Sequence, residues 1–121
     1  VLCDPSYEIK SDYARVLAAM TDALKRFATG TYAVWYPIIA RPEAHDLPRR
    51  LKTLATKSGK SWLNASLTVK AGKDATGLPA SGLFVINPPH TLKAGLQQAL
   101  PQMVERLGQD RNASHTLESG S

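Results

Sequence analysis

The apolar positions of this chain alternate between two rhythms. Val1-Leu2-Cys3 is a short apolar run that breaks at Asp4-Pro5-Ser6-Tyr7-Glu8, the pattern of a buried strand ending in a tight turn. Tyr13, Val16, Leu17, Met20, Leu24 and Phe27 follow at helical spacing. Ser11 can cap that helix, Asp12 suits its first turn, and Gly30 suits its end. Thr31 to Ile39 is nearly unbroken apolar and β-favouring sequence, a strand buried on both faces with Pro37 close to its end. Strand, helix and strand in that order predict a βαβ unit with a right-handed crossover.

Arg41 to Thr56 reads as a second helix, in which Pro48 fits the first turn better than the middle. Leu63, Ala65, Leu67 and Val69 alternate with Asn64, Ser66 and Thr68, as in a half-buried strand. Lys70 to Gly82, with three glycines and two lysines, reads as a mobile loop. Leu83 to Ile86 is a further strand, and a loop between two adjacent strands predicts an antiparallel pair. Thr91 can cap a last helix with Leu92, Leu96, Leu100, Met103 and Leu107 on one stripe, Pro101 as a kink and Gly108 as the stop. Gln109 to Ser121 is a polar tail with at most a short edge strand near His115 to Leu117.

Length and charge narrow the picture. With 121 residues the chain suits one modest domain. A formal net charge of +5 suits a polyanionic partner such as nucleic acid. A single cysteine gives no disulfide framework, and no apolar run approaches the roughly 18 residues of a membrane span, so a cytoplasmic protein is expected. A buried strand at Val1 has no neighbour upstream to cover it, and no glycine-rich phosphate or dinucleotide loop occurs. The expectation is the second half of a larger domain.

Asp4-Pro5-Ser6-Tyr7 is where chemistry enters. Ligands of open α/β sheets bind at the carboxyl ends of the strands. The tetrapeptide resembles the Asp/Asn-Pro-Pro-Tyr motif of S-adenosylmethionine-dependent methyltransferases that act on exocyclic amino groups. An adenine amino group is a poor nucleophile because its lone pair is delocalised into the ring. Two acceptors on its hydrogens favour a more tetrahedral nitrogen that can attack a methyl sulfonium in line, and an aromatic ring can stack on a flipped base. In this scheme Asp4 supplies a carboxylate, Pro5 a carbonyl and Tyr7 the ring. Positioning of this kind can contribute about 7–11 kcal/mol, and proton removal by Asp4 roughly 10²–10⁴-fold. By itself the tetrapeptide also fits a plain strand-ending turn.

A longer resemblance is more specific. Asp4 to Glu8 followed by Lys10 and Asp12-Tyr13, Lys25 to Ala33 running into Trp35-Tyr36-Pro37, Ala80-Ser81-Gly82, Val85 to Pro89 and the leucine-rich last helix look, in order, like the bacterial 23S ribosomal RNA adenine-N6 methyltransferase family (RlmJ). That resemblance implies an α/β fold, the C-terminal portion of a Rossmann-like methyltransferase sheet, mostly parallel with one antiparallel pair. The upstream half, carrying the S-adenosylmethionine loop and an inserted helical subdomain, is not in this chain, which is expected to be inactive alone. The implied activity is methyl transfer to N6 of an adenine in 23S ribosomal RNA, by a protein monomeric at full length. Asp4, Pro5 and Tyr7 are then the catalytic candidates, and Ser6, Glu8, Lys10, Tyr36 and Pro37 the substrate-binding ones, although Glu8 and Lys10 equally fit a solvated helix entrance, and core packing is favoured for Tyr36 and Pro37. Ser6 departs from the family's usual second proline, which makes the turn less rigid. The alternative is a non-enzymatic RNA-binding or interaction module that keeps the fold; the tetrapeptide alone also admits a DNA or small-amine methyltransferase.

Other residues are weighed the same way. Asn87-Pro88-Pro89-His90 also has a methyltransferase-like pattern, but a structural turn into the last helix is favoured. Arg41, Arg49, Arg50, Lys52, Lys57 and Lys60, with Lys70 and Lys73, form either a solvated charged face or a surface for RNA phosphates. Cys3 reads as a buried strand residue, and His45, His90 and His115 lack metal-ligand spacing.

Overall fold

The computed structural model describes residues 2–3, 11–39, 42–68, 80–107 and 113–120. Strands β1 (Leu2–Cys3), β2 (Tyr32–Pro37), β3 (Trp62–Thr68), β4 (Ala80–Ile86) and β5 (Ser114–Gly120) form one sheet in the order β1-β2-β4-β3-β5. Helices α1 (Ser11–Arg26), α2 (Pro42–Lys57) and α3 (His90–Leu107) connect and cover it.

The helices form where the apolar period lies. Tyr13, Val16, Met20 and Leu24 are the buried side of α1, and Ala44, Leu47, Leu51 and Ala55 that of α2. They pack with Tyr32, Val34 and Tyr36 of β2, Phe84 and Ile86 of β4, and Trp62 of β3 in one cluster. Cross-strand register explains the grouping, since Val34 lies opposite Phe84 and Phe84 opposite Asn64. Successive strand residues face opposite sides. The other set, Leu63 and Ala65, meets Leu100 of α3, with Leu96 and Leu117 beside it. With helices on both sides, β3 and β4 lie in the middle of the sandwich.

β1 and β2 pair in parallel, as the βαβ pattern predicts. The expected antiparallel pair of β3 and β4 is also present. A mostly parallel sheet is not found. Among the described strands β2–β4, β4–β3 and β3–β5 are all antiparallel, leaving β1–β2 as the parallel pair. β4 folds back between β2 and β3, so β1, β2 and β3 still run in one direction with β4 set against them. The mostly parallel sheet was implied by the family resemblance; an apolar run specifies burial but not the direction of its neighbour.

Further differences are local. β3 is not half-buried throughout: Trp62, Leu63, Asn64 and Ala65 are buried in succession, because α2 and α3 lie over opposite faces of its first half. Ala80, Ser81 and Gly82 belong to β4 rather than to a loop, and 70–79 lie outside the described residues. Pro48 sits inside α2, and Pro42 takes the first position, where a missing N–H costs least. α2 stops at Gly59, whose φ of 68° lets the Lys60 N–H reach the Ala55 carbonyl at 2.9 Å. The edge strand runs over Ser114–Gly120, longer than His115 to Leu117.

Gly82 gives a direct check of the packing. A methyl group there would overlap the Tyr36 ring, whereas one at Gly95, inside α3, would meet nothing within 4 Å. Gly82→Ala is expected to cost about 1–3 kcal/mol or more, while Gly95→Ala should gain about 0.5–1 kcal/mol from helix propensity. Denaturant midpoints of the two variants should therefore move in opposite directions; equal shifts would contradict the packing described.

Candidate active site

The site is built on the carboxyl ends of β1 and β2. Leu2 lies opposite Ala33 and Cys3 opposite Val34 in parallel register, so both strands run out at the same edge of the sheet. Asp4 is the next residue of the sequence after β1. Asp4, Pro5, Ser6, Tyr7, Glu8 and Lys10 all lie outside the described residues. Tyr36 and Pro37 end β2 at that edge. Both helices that follow these strands, α1 and α2, begin on the same side.

Tyr36 is 3% exposed, and its hydroxyl donates to Asn64 Oδ1 at 2.6 Å. Asn64 Nδ2 in turn donates to Glu118 Oε1 at 3.4 Å. The phenol therefore points across β4, over Gly82, toward β3 and β5. Gly82 has no side chain between the two strands, which is what allows the ring to lie flat there. Pro37 pairs in register with Ser81, and the Ile38 N–H closes the strand on the Ala80 carbonyl at 3.0 Å. A proline at this strand end leaves little of the ladder undone.

Burial is the main cause that pushes the Tyr36 phenol above the ordinary tyrosine value; Asn64 offsets part of this and the Glu118 carboxylate adds to it. The folded protein thus holds a proton that the unfolded chain releases near pH 10. Stability from this source is complete below about pH 10 and declines as pH rises beyond it. Tyr36→Phe is expected to cost about 0.5–1.5 kcal/mol at neutral pH and to flatten the alkaline decline. Urea midpoints taken between about pH 8 and 11 check this, and an equally steep decline in the variant would contradict it.

Asn87 is part of the scaffold. Its φ is 56°, and Nδ2 donates to the Gly30 carbonyl at 2.9 Å and the Ala28 carbonyl at 3.1 Å. Thr31 Oγ1 donates to its carbonyl at 2.7 Å. These bonds clamp the α1–β2 turn to the end of β4, at the edge of the sheet opposite to the end of β2. Tyr32 Oη, 2.6 Å from the Phe27 carbonyl, closes the same corner. Among the described residues no group of three His, Cys, Asp or Glu side chains could hold a metal ion, and no helix is long and apolar enough to cross a membrane.

A depression in the seam between α1 and α2 is lined by Tyr13, Leu17, Glu43, Asp46 and Arg50 among others, with a volume of about 130 Å³. Small-molecule sites usually occupy about 300–1,000 Å³. Asn64, Glu118 and Gly82 are structural neighbours of Tyr36 that the sequence pattern missed. Asn64 reads as the solvated position of an alternating strand, and its only signal is its place inside the apolar run Trp62-Leu63-Asn64-Ala65.

Comparison with known proteins gives a consistent result. A family described as ribosomal RNA large subunit methyltransferase D, RlmJ, matches residues 1–118. The ribosomal RNA large subunit methyltransferase J of Haemophilus influenzae is 41% identical over 98% of this chain, and that of Escherichia coli 37% identical over 88%. The chain spans 41% and 37% of those relatives' lengths. A crystal structure of a Legionella pneumophila protein superposes with a TM-score of 0.86 and 28% identity, over 99% of this chain and 43% of that one.

Proposed function

Because this chain belongs to the RlmJ family of ribosomal RNA large subunit methyltransferases, we propose that it is the C-terminal portion of an enzyme that methylates N6 of an adenine in 23S ribosomal RNA. S-adenosylmethionine supplies the methyl group in this reading, and the part of the protein beyond this chain holds it. The reading places the enzyme in the cytoplasm.

The roles assigned to this chain are those of orientation and proton handling. Asp4 accepts one hydrogen of the adenine amino group and takes up the proton released when the nitrogen is alkylated. The Pro5 carbonyl accepts the other hydrogen. Tyr7 stacks on the flipped purine. Ser6, Glu8 and Lys10 line the approach of the nucleotide, Lys10 by a phosphate contact. Pro37 backs the purine from β2, while the Tyr36 ring, expected from sequence to bind substrate, is turned inward onto Gly82 and Asn64 and braces that strand end instead.

The observation that supports this reading most is the parallel register of β1 and β2, which brings both strand ends to one edge beside Tyr36 and Pro37. The test is methylation of unmodified 23S ribosomal RNA by the full-length protein, followed by digestion to nucleosides and mass spectrometry. N6-methyladenosine is the expected product. No methyl incorporation, with RNA binding kept, would leave a binding module instead; a methyl group on another base would overturn the assigned chemistry.

A further inference from the structure

α2 divides its cations between two flanks. Arg50 lines the seam against α1 together with Glu43 and Asp46. Arg49, Lys52 and Lys57 instead line an open groove with Thr53 and Thr56 on the outer flank. Arg49 and Lys52 lie three residues apart, about 4.5 Å along the helix axis, and Lys52 and Lys57 five apart, about 7.5 Å.

Two of the three cations are held in place. The Arg49 guanidinium lies 2.9 Å from Asp46 Oδ1 while 72% of its side chain stays exposed. The Lys52 ammonium stands 4.9 Å from the centre of the Trp62 ring. No acidic residue occurs in the sequence from Leu47 to Thr68. Glu118 faces the adjoining depression with His45, Pro48, Arg49, Lys52 and Asn64, so the strongest attraction for an anion lies toward Thr53–Lys57. Helix electrostatics account for Lys57, in the last turn, but the dipole fades within that turn and leaves Arg49 and Lys52 unexplained.

We infer that this outer flank of α2 is a binding surface for the sugar–phosphate backbone of the RNA, through Arg49, Lys52 and Lys57, an inference that rests on the ribosomal RNA reading above. The contacts are to phosphates, so they add affinity and register without reading sequence. Methylation itself proceeds at the other, carboxyl edge of β1 and β2. Loss of these cations therefore raises KM for RNA and leaves kcat in place.

The test uses the full-length protein and transcribed 23S ribosomal RNA, with affinity measured across a salt series. Each phosphate contact contributes about 0.7–0.9 to the slope of log K against log salt, so Arg49→Gln/Lys52→Gln/Lys57→Gln should lower the slope by about 2–3. Lys57→Gln alone, which leaves the Asp46 and Trp62 contacts intact, should lower it by about 0.7–0.9 and serves if the triple variant unfolds. Unchanged slope and affinity in a folded triple variant would overturn the surface. Slope lost without methyl transfer by the wild type would sustain the surface and remove the enzyme reading; methyl transfer with unchanged slope and KM in the variants would do the reverse.

Discussion

Asp4→Ala in the full-length protein is expected to lower the turnover of ribosomal RNA methylation by about 10²–10⁴-fold while leaving affinity for S-adenosylmethionine nearly unchanged. In the proposed reaction the nucleophile is a weakly basic amino group, whose activation depends on an acceptor placed before the methyl group moves. Alanine removes both that acceptor and the sink for the released proton. Asp4→Asn keeps an oxygen acceptor of the same shape but not the charge, so its turnover should fall between the two. Single-turnover rates separate this effect from RNA binding and product release. Wild-type turnover in the alanine variant would remove Asp4 from the reaction.

The second large effect is on stability. Phe84 is 1% exposed, stacks on Trp62 with ring centres 5.6 Å apart and planes 12° apart, and lies in the cluster beneath α1 and α2. Phe84→Ala is expected to cost about 3–5 kcal/mol, from lost burial and the cavity left under the helices. That is a large share of the roughly 5–15 kcal/mol by which domains are stable. Phe27→Ala makes the comparison, since Phe27 is 71% exposed and its loss should cost less than about 0.5 kcal/mol. Comparable midpoints for the two variants in denaturant would contradict the location of the core.

Helices α1 and α2 were the most legible part of the sequence because their apolar faces repeat at 3.6 residues, whereas of the stripe expected on α3 Leu100 is buried and Met103 and Leu107 are exposed. Tyr13, Val16, Met20 and Leu24 are buried along α1 as the spacing predicts. Phe27, the last residue of that stripe, is exposed because the helix ends at Arg26 and the chain turns away. Sheet direction was legible in part: the parallel β1–β2 and antiparallel β3–β4 pairs were expected, the antiparallel β2–β4 and β3–β5 pairs were not. A run such as Leu83 to Ile86 is equally apolar whether its neighbours run with it or against it, and β4 takes antiparallel partners on both sides. β5 was legible only as a short edge strand near His115 to Leu117, for a different reason. Ser114–Gly120 has no apolar alternation; backbone pairing with β3 and the bond between the Ser66 and Thr116 hydroxyls hold it.

The site was legible in part. Strand ends mark themselves with proline, and Pro37 closes β2 as expected. Which way a side chain at such an end will turn depends on what the neighbouring strand leaves open. Tyr36 turns inward because Gly82 leaves room and Asn64 offers an acceptor, facts that belong to two other strands. Asn87 shows the converse: a methyltransferase-like tetrapeptide whose amide nitrogen donates to two carbonyls that clamp a turn. The basic run resolves only in three dimensions, where α2 sends Arg50 one way and Arg49, Lys52 and Lys57 the other.

A crystal structure of the full-length protein with adenosine bound puts the central claim to its most direct test. The account predicts the adenine amino nitrogen within about 2.6–3.2 Å of an Asp4 carboxylate oxygen, with the Tyr7 ring parallel to the purine and Pro37 behind it. Adenosine bound away from the ends of β1 and β2, with Asp4 turned from its amino group, would contradict it.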